Sequence, residues 1–307
     1  MSGWQQLPSE LQWRETQYVS ASGLDAHSGS IHSPVLTVSQ AVANSANYGR
    51  IVVLPGTYAG AVDASALTGL EIINLGILTH AAAHTLILGP QARLTGPGSV
   101  RSTSTGVAYR SAIKATAADD LVIEDTNIVS TCDAINLTSC NRARISRVSI
   151  VAGEYGVYAE TGATHTVVED CFITNAGWTS CSSNGLCLYA DALAVLRSTR
   201  NIISVTVPVA NSAHQSGALV NMGGQILDDG SSLYACEVSA GTAGWVRSVF
   251  AFAANISLWR STVASAGNTP YDLYASGGGV ITVHGAIYNA AKVNVTGGTL
   301  QAPPIPG

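Results

Sequence analysis

Charge is what this chain has least of. Of its 307 residues, 14 are Lys or Arg and 19 are Asp or Glu, 11% charged in all, where an ordinary soluble domain carries about 25%. The formal net charge is −5 and there is no run of basic residues, which excludes a nucleic-acid footprint. No stretch approaches the ~20 apolar residues of a membrane span. The opening "MSGWQQLPSELQWRETQ" lacks the basic and apolar regions of a secretory signal, so synthesis in a cytoplasm is expected. With so few charges, the surface must be built from Ser, Thr, Asn, Gly and Ala, and some faces are expected to be covered by partners.

Metal and redox signatures are missing as well. The six cysteines, at 132, 140, 171, 181, 187 and 236, have neither metal spacing nor a small disulfide-scaffold pattern. Cys171, Cys187 and Cys236 fall within apolar runs and read as buried packing. A Cys181–Cys187 loop disulfide is the bridge the spacing allows, given an oxidising compartment. His80 and His84 in "HAAAH" mimic a metal pair, but the flanking residues read as strands, where that spacing keeps the rings apart; no metal or cofactor is expected.

Helical periodicity is absent from most of the chain, and short apolar strands stand in its place. Seven recur: "LVIEDTNI" (121–128), "ARISRVSI" (143–150), "TVVEDCFI" (166–173), "AVLRSTRN" (194–201), "SLYACEVS" (232–239), "ISLWRSTV" (256–263) and "ITVHGAIY" (281–288). A second series interleaves with them, including "DAINL" (133–137), "YGVYAE" (155–160), "NGLCLYA" (184–190) and "YDLYAS" (271–276). Spacings of this order mean stacked coils, each with at least two strands in different sheets. The unequal steps place loops of different length at one corner, where function is expected.

The segment 18–60 reads as a strand, a Gly/Ser/Asp loop, a helix over Thr37–Ala46, the strand Ile51–Leu54 and the turn "PGTY". Val19, Gly23, Asp25, Ser28, Gly29, Ser30, Pro34, Thr37, Ala41 and Ala46, followed by Val53 to Tyr58, stand in the order of a "VSxxGxDxxSGS…P…T…A…VxLPxGxY" pattern. This resembles the N-terminal cap of right-handed parallel β-helix proteins of the pectate-lyase-like superfamily. The resemblance implies an all-β, single-stranded right-handed parallel β-helix with a short N-terminal capping helix. The domain reading is an anchor or cap over 1–17, a β-helix over 18–300 and a Pro-rich tail over 301–307.

The superfamily hosts lyases, hydrolases and passive virion proteins, so the fold leaves activity open. The polygalacturonase-like set "NTD", "DD", "GHG" and "RxK" is not present together, nor is a pectate-lyase Ca²⁺ carboxylate cluster. The first reading is therefore a non-enzymatic virion protein resembling phage tailspike-like or head-decoration proteins, located in the virion. It would self-associate as a homo-oligomer, with trimerisation implied by tailspike resemblance. It would join capsid or tail proteins through Trp4, Leu7, Leu11 and Trp13, and bind surface polysaccharide.

The alternative is a polysaccharide lyase or glycoside hydrolase with a divergent site, its acids drawn from Glu154, Glu160, Asp191 and Asp228 near coil corners. Trp178, Tyr189 and Trp245 are the candidate sugar-stacking rings, and a binding module without turnover is the third reading. Asp125, Arg147 and Asp170 recur at equivalent places and are expected to form a structural charge stack.

Overall fold

The computed structural model describes residues 15–104, 110–175, 184–207, 215–237, 245–266 and 270–302. Three parallel sheets of 12, 10 and 9 strands run the length of the chain, each strand pairing with its equivalents one coil before and after. Nine successive coils contribute one strand to each sheet, so the fold is an all-β parallel β-helix. The register follows the apolar pattern: Ile72, Leu94, Ile123, Ile145 and Val168 lie in line on the first sheet. All five are fully buried. A one-residue slip would turn such a row outward, so the buried side fixes the register.

What reads in sequence as one strand at 121–128 is two. Val122–Glu124 belongs to the first sheet and Asn127–Ser130 to the third. The chain turns between them on a single left-handed residue, Asp125, and the same corner repeats at Arg147, Asp170, Arg200, Gly230, Arg260 and Gly285. The bend is hidden because polar Asp or Arg at that point continues the alternation. Left-handed backbone disfavours a side chain, and the stack compensates through hydrogen bonds. Arg147 N–H donates to Glu169 O, Asp170 N–H to Thr199 O and Arg200 N–H to Asp229 O.

The capping helix α1 spans Val38–Asn44, shorter at both ends than the pattern suggests. Thr37 is its N-cap, with Oγ1 accepting from Gln40 N–H at 3.1 Å. Val38 and Ala41 are buried, whereas Ala46 is exposed beyond the last turn. Asp25 holds the preceding loop, accepting from the Leu36 and Thr37 amides at 3.0 and 2.8 Å. The strand expected at Ile51–Leu54 runs Arg50–Val53, and Val293–Thr296 and Thr299–Gln301 carry the ladders to the last described coil.

Cys187 is a free buried thiol, so the Cys181–Cys187 bridge does not form; Cys140 and Cys171 are free and buried too. Burial pushes the Cys171 thiol up to about 11. Cys132 is disulfide-bonded, which its sequence spacing did not signal. His84 serves as a backbone acceptor, Nδ1 taking the Ser111 N–H at 3.0 Å, and burial lowers its pKa. Among the described residues no cluster of three or more His, Cys, Asp or Glu could hold a metal ion, and no helix is long and apolar enough to cross a membrane.

Candidate functional site

The three outer faces differ in chemistry. On the first sheet and its corner the acids are consumed by arginines. Arg50 meets Glu71 at 2.7 Å, Arg93 contacts Glu124, and Arg144 contacts Glu169. At the corner Arg147 grips Asp125 through Nε and Nη2 at 2.7 and 2.8 Å, Arg200 grips Asp170 at 2.7 and 2.6 Å, and Arg260 grips Asp229. The expected Asp125–Arg147–Asp170 stack is thus real in kind but paired differently, since Asp170 takes Arg200. Arg147 also reaches Glu124 at 3.0 Å. Adjacent acids share one cation here because Asp125 sits in the turn, outside strand alternation. Arg93, first, holds Glu124 below the usual carboxylate range, and Arg147 does the same for Asp125.

On the third sheet, strands Asn127–Ser130 to Thr262–Ala266 place Val129, Val151, Phe172, Ile202 and Tyr234 in the exposed positions. A groove of about 610 Å³ crosses its early coils beside Arg101, Asn127 and Val129. No acid lines it, so it offers no acid–base chemistry.

The second sheet carries rings and unpaired acids. Asn136, Tyr158, Tyr189, Val220, Phe250 and Tyr274 form one register row along neighbouring coils. Tyr155 stacks on Tyr158 with centroids 4.9 Å apart, and Tyr189 packs on both at 5.2 and 5.1 Å. Farther along, the Arg247 guanidinium lies over Tyr274 at 3.6 Å. These residues form a packed patch separate from the coil interior. The rings pack partly stacked and partly edge-on into an apolar platform in which Tyr155 and Tyr158 are buried and Tyr189 is half-buried.

Two acids border that platform. Ala159 pairs with Ala190, so Glu160 and Asp191, which follow directly, stand at the same point of successive coils, their backbones about 4.8 Å apart. Both are half-buried, and neither makes an ion pair among the described residues. Tyr158 Oη donates to Asp191 Oδ2 at 3.4 Å and the Ala192 N–H to Asp191 Oδ1 at 2.8 Å, while the Thr138 hydroxyl donates to Glu160. The Tyr158 phenol is pushed far up, by burial first and then by Asp191 and Glu160.

At the other end of these strands, level with Tyr155, lies Asp133, fully buried, with neither carboxylate oxygen in a hydrogen bond of good geometry. Burial first, then the charge of Glu154, raises its pKa well above the usual range; the nearby Tyr155 amide and Asn136 side chain pull more weakly the other way. Sequence reading missed Asp133. The signal was available in its stacking one coil from "GEY" 153–155, but a lone Asp in a turn gives no reason to prefer it.

Of the candidate acids, Glu160 and Asp191 come together with Tyr189. Glu154 is 2% exposed and does not face solvent. Asp228 is not at a corner at all: it points into the coil interior, where the Ser261 hydroxyl donates to Oδ2, and burial raises its pKa. Strand alternation fixes this, because its neighbour Asp229 takes the outward place. Trp4, Leu7, Leu11, Trp13 and Trp178 lie outside the described residues, as does the tail from 303. Of Trp245 the backbone alone is described, opening the strand Trp245–Phe252.

No family model matches the sequence and no curated protein matches it. Solved structures do match. An alginate lyase from Paenibacillus sp. is 14% identical, covering 86% of this chain and 96% of its own, with a TM-score of 0.45. A pectin methylesterase from carrot is 12% identical over 94% of this chain and 82% of its own, at 0.45. An endo-xylogalacturonan hydrolase from Aspergillus tubingensis is 12% identical over 94% and 93%, at 0.37. At such identities only fold is in question, and the parallel β-helix stands on the three sheets of this chain.

Proposed function

We propose that the chain is a glycan-cleaving enzyme, a glycoside hydrolase acting at the outer face of the second sheet. The observation that carries this is the pair Glu160 and Asp191, side by side on successive coils at the edge of the Tyr155/Tyr158/Tyr189 platform. A sugar ring set against the half-buried Tyr189 would bring its glycosidic oxygen over the two carboxyls. Asp191, which accepts from Tyr158 Oη and the Ala192 amide, is placed as the nucleophile, and Glu160 as the general acid.

In the reaction Glu160 gives its proton to the departing glycosidic oxygen as Asp191 Oδ bonds to the anomeric carbon. A water deprotonated by Glu160 then releases the sugar and restores both groups. Backbones about 4.8 Å apart suit the ~5 Å carboxyl separation of retaining enzymes. With Glu160 and Asp191 side by side and no cation paired to either among the described residues, this face suits a neutral polysaccharide better than elimination from an acidic one. Incubating the chain with neutral β-glucan, xylan and arabinogalactan and measuring new reducing ends tests this. Release by wild type, abolished in Glu160→Gln and Asp191→Asn, supports the reading. Binding without release by wild type reduces it to a glycan-binding module.

One observation favours the virion-type alternative. The outer positions of the third sheet from Asn127 to Ala266 carry no charge among the described residues, and five large apolar side chains are exposed there. Such a face suits self-association. Light scattering of the purified chain decides it: a stable oligomer whose formation is lost in Phe172→Glu and Ile202→Glu supports a self-assembling β-helix, and a monomer removes it.

A further inference from the structure

A different face carries a second site. On the outer side of the first sheet, in the later coils, Trp259 is 48% exposed and its ring stacks on the His284 imidazole, centroids 3.8 Å apart and 13° from parallel. His284 follows Trp259 one coil on, so the imidazole backs the indole and holds its plane. Beside the ring is a hollow of about 230 Å³ lined by Arg197, Leu227, Asp228, Asp229 and Trp259. At ~30 Å³ per displaced water, that is room for one sugar ring. A neighbouring hollow of about 320 Å³, lined by Thr199, Arg200, Gly230 and Arg260, shares Asp229 with it. The two span the same three coils and lie side by side along the strand direction.

The arginines here are not equivalent. Arg200 and Arg260 are committed to bidentate pairs with Asp170 and Asp229. Arg197, exposed on the strand Val195–Thr199, makes no ion pair or hydrogen bond among the described residues. A free guanidinium fork is matched to a carboxylate, which it holds by two parallel hydrogen bonds. An exposed indole held flat beside it offers a stacking surface. We infer that the Trp259–Arg197 hollow binds a carboxylate-bearing sugar residue of an oligosaccharide, the ring stacked on Trp259, the carboxylate on Arg197, and the next residue in the adjoining hollow.

A stacked nucleotide would use the same two side chains, but the other arginines here are paired with Asp170 and Asp229, so no basic track leads from the site for a phosphate backbone. Ligand chemistry also separates this site from the second-sheet acids: a carboxylated residue is repelled there and attracted here. A polymer mixing neutral and acidic sugars could occupy both.

The test is isothermal titration of the full-length chain in a Glu160→Gln background, so that turnover cannot consume the probe and failure of cleavage does not bear on the result. The probes are a β-linked tetraglucuronate, its carboxyl-reduced counterpart cellotetraose, and a four-residue oligo-dT. The expected result is saturable binding of the tetraglucuronate, about tenfold tighter than cellotetraose. Arg197→Ala should remove that preference, Trp259→Ala should weaken both sugars about tenfold, and Trp259→Phe should retain most of the binding. Thermal melts matching the parent establish that each variant is folded. Equal affinity for the two sugars, no binding to either, tighter binding of the oligo-dT, or an Arg197→Ala variant that keeps its preference would each overturn the inference.

Discussion

The first and second sheets share one backbone plan and carry similar acids, yet those acids do opposite things. On the first sheet and its corner, Glu71, Glu124, Asp125, Glu169, Asp170 and Asp229 each meet an arginine one coil away. On the second, Glu160 and Asp191 meet hydroxyls, an amide and each other's field. A paired carboxylate is held ionised and gives nothing to a reaction. An unpaired one is left open to a ligand. The difference lies in what the neighbouring coil brings within reach: an arginine, or another acid.

The largest effect that would sharpen this contrast is on turnover. Glu160→Gln and Asp191→Asn are each expected to lower reducing-end release by about 10²–10⁴-fold, with melting temperatures unchanged. Arg144→Ala, on the first sheet, is expected to leave release intact. If removing an arginine pairing costs as much activity as removing either unpaired acid, the division between the faces is wrong.

Next in size is the core that both sheets share. Ile145 is fully buried in a row between Ile123 and Val168, so Ile145→Ala is expected to cost about 2–5 kcal/mol, measured by denaturant unfolding. The same truncation at the exposed Val129 on the third sheet should change stability by less than about 0.5 kcal/mol.

A smaller effect separates the acids by the sign of their pH dependence. Asp228 is buried with its pKa raised, so the folded state holds a proton that the unfolded state gives up. Its contribution is full at pH below the unfolded value and is lost as pH rises through the folded one. Asp228→Asn is therefore expected to stabilise the chain at pH 7, by about 1–3 kcal/mol, and to flatten the stability profile above pH 4. Asp125 and Asp170 have lowered values; their contribution is present above the unfolded value and lost as pH falls through the folded one. Melting temperature followed across pH 3–8 in the wild type and the variant resolves the two.

Much of the architecture was legible because a stacked coil repeats its chemistry. The rows ending in Ile123, Ile145 and Val168 announce themselves by spacing alone, and the cap by Gly23, Asp25, Thr37 and the "LPGTY" run. The count of sheets was not legible, since a one-residue corner at Asp125 or Arg147 leaves period-two alternation intact. The candidate site was half legible. Glu160, Asp191 and Tyr189 were each visible as corner acids and a ring, but their assembly depends on register between residues 30 apart, set by loop lengths no local pattern encodes. Asp228 was misplaced for the converse reason: in "DD" nothing local says which acid faces in, and the buried neighbours Ser198 and Ser261 that decide it come from other coils.

The finest test of the first sheet's role lies at its corner. Arg147, Arg200 and Arg260 adopt the left-handed conformation that Gly230 and Gly285 occupy at equivalent coils without strain. Their exposed ion pairs are of a kind that contributes little, while a side chain at that backbone angle carries a real penalty. Arg200→Ala keeps the penalty and loses the pair, whereas Arg200→Gly loses both. The glycine variant is therefore expected to melt above the alanine variant and close to wild type, the gap narrowing further at high salt. A glycine variant that melts well below alanine would mean that the Asp170–Arg200 pairing itself holds the coils in register, and that the first sheet's charges are more than a neutralised surface.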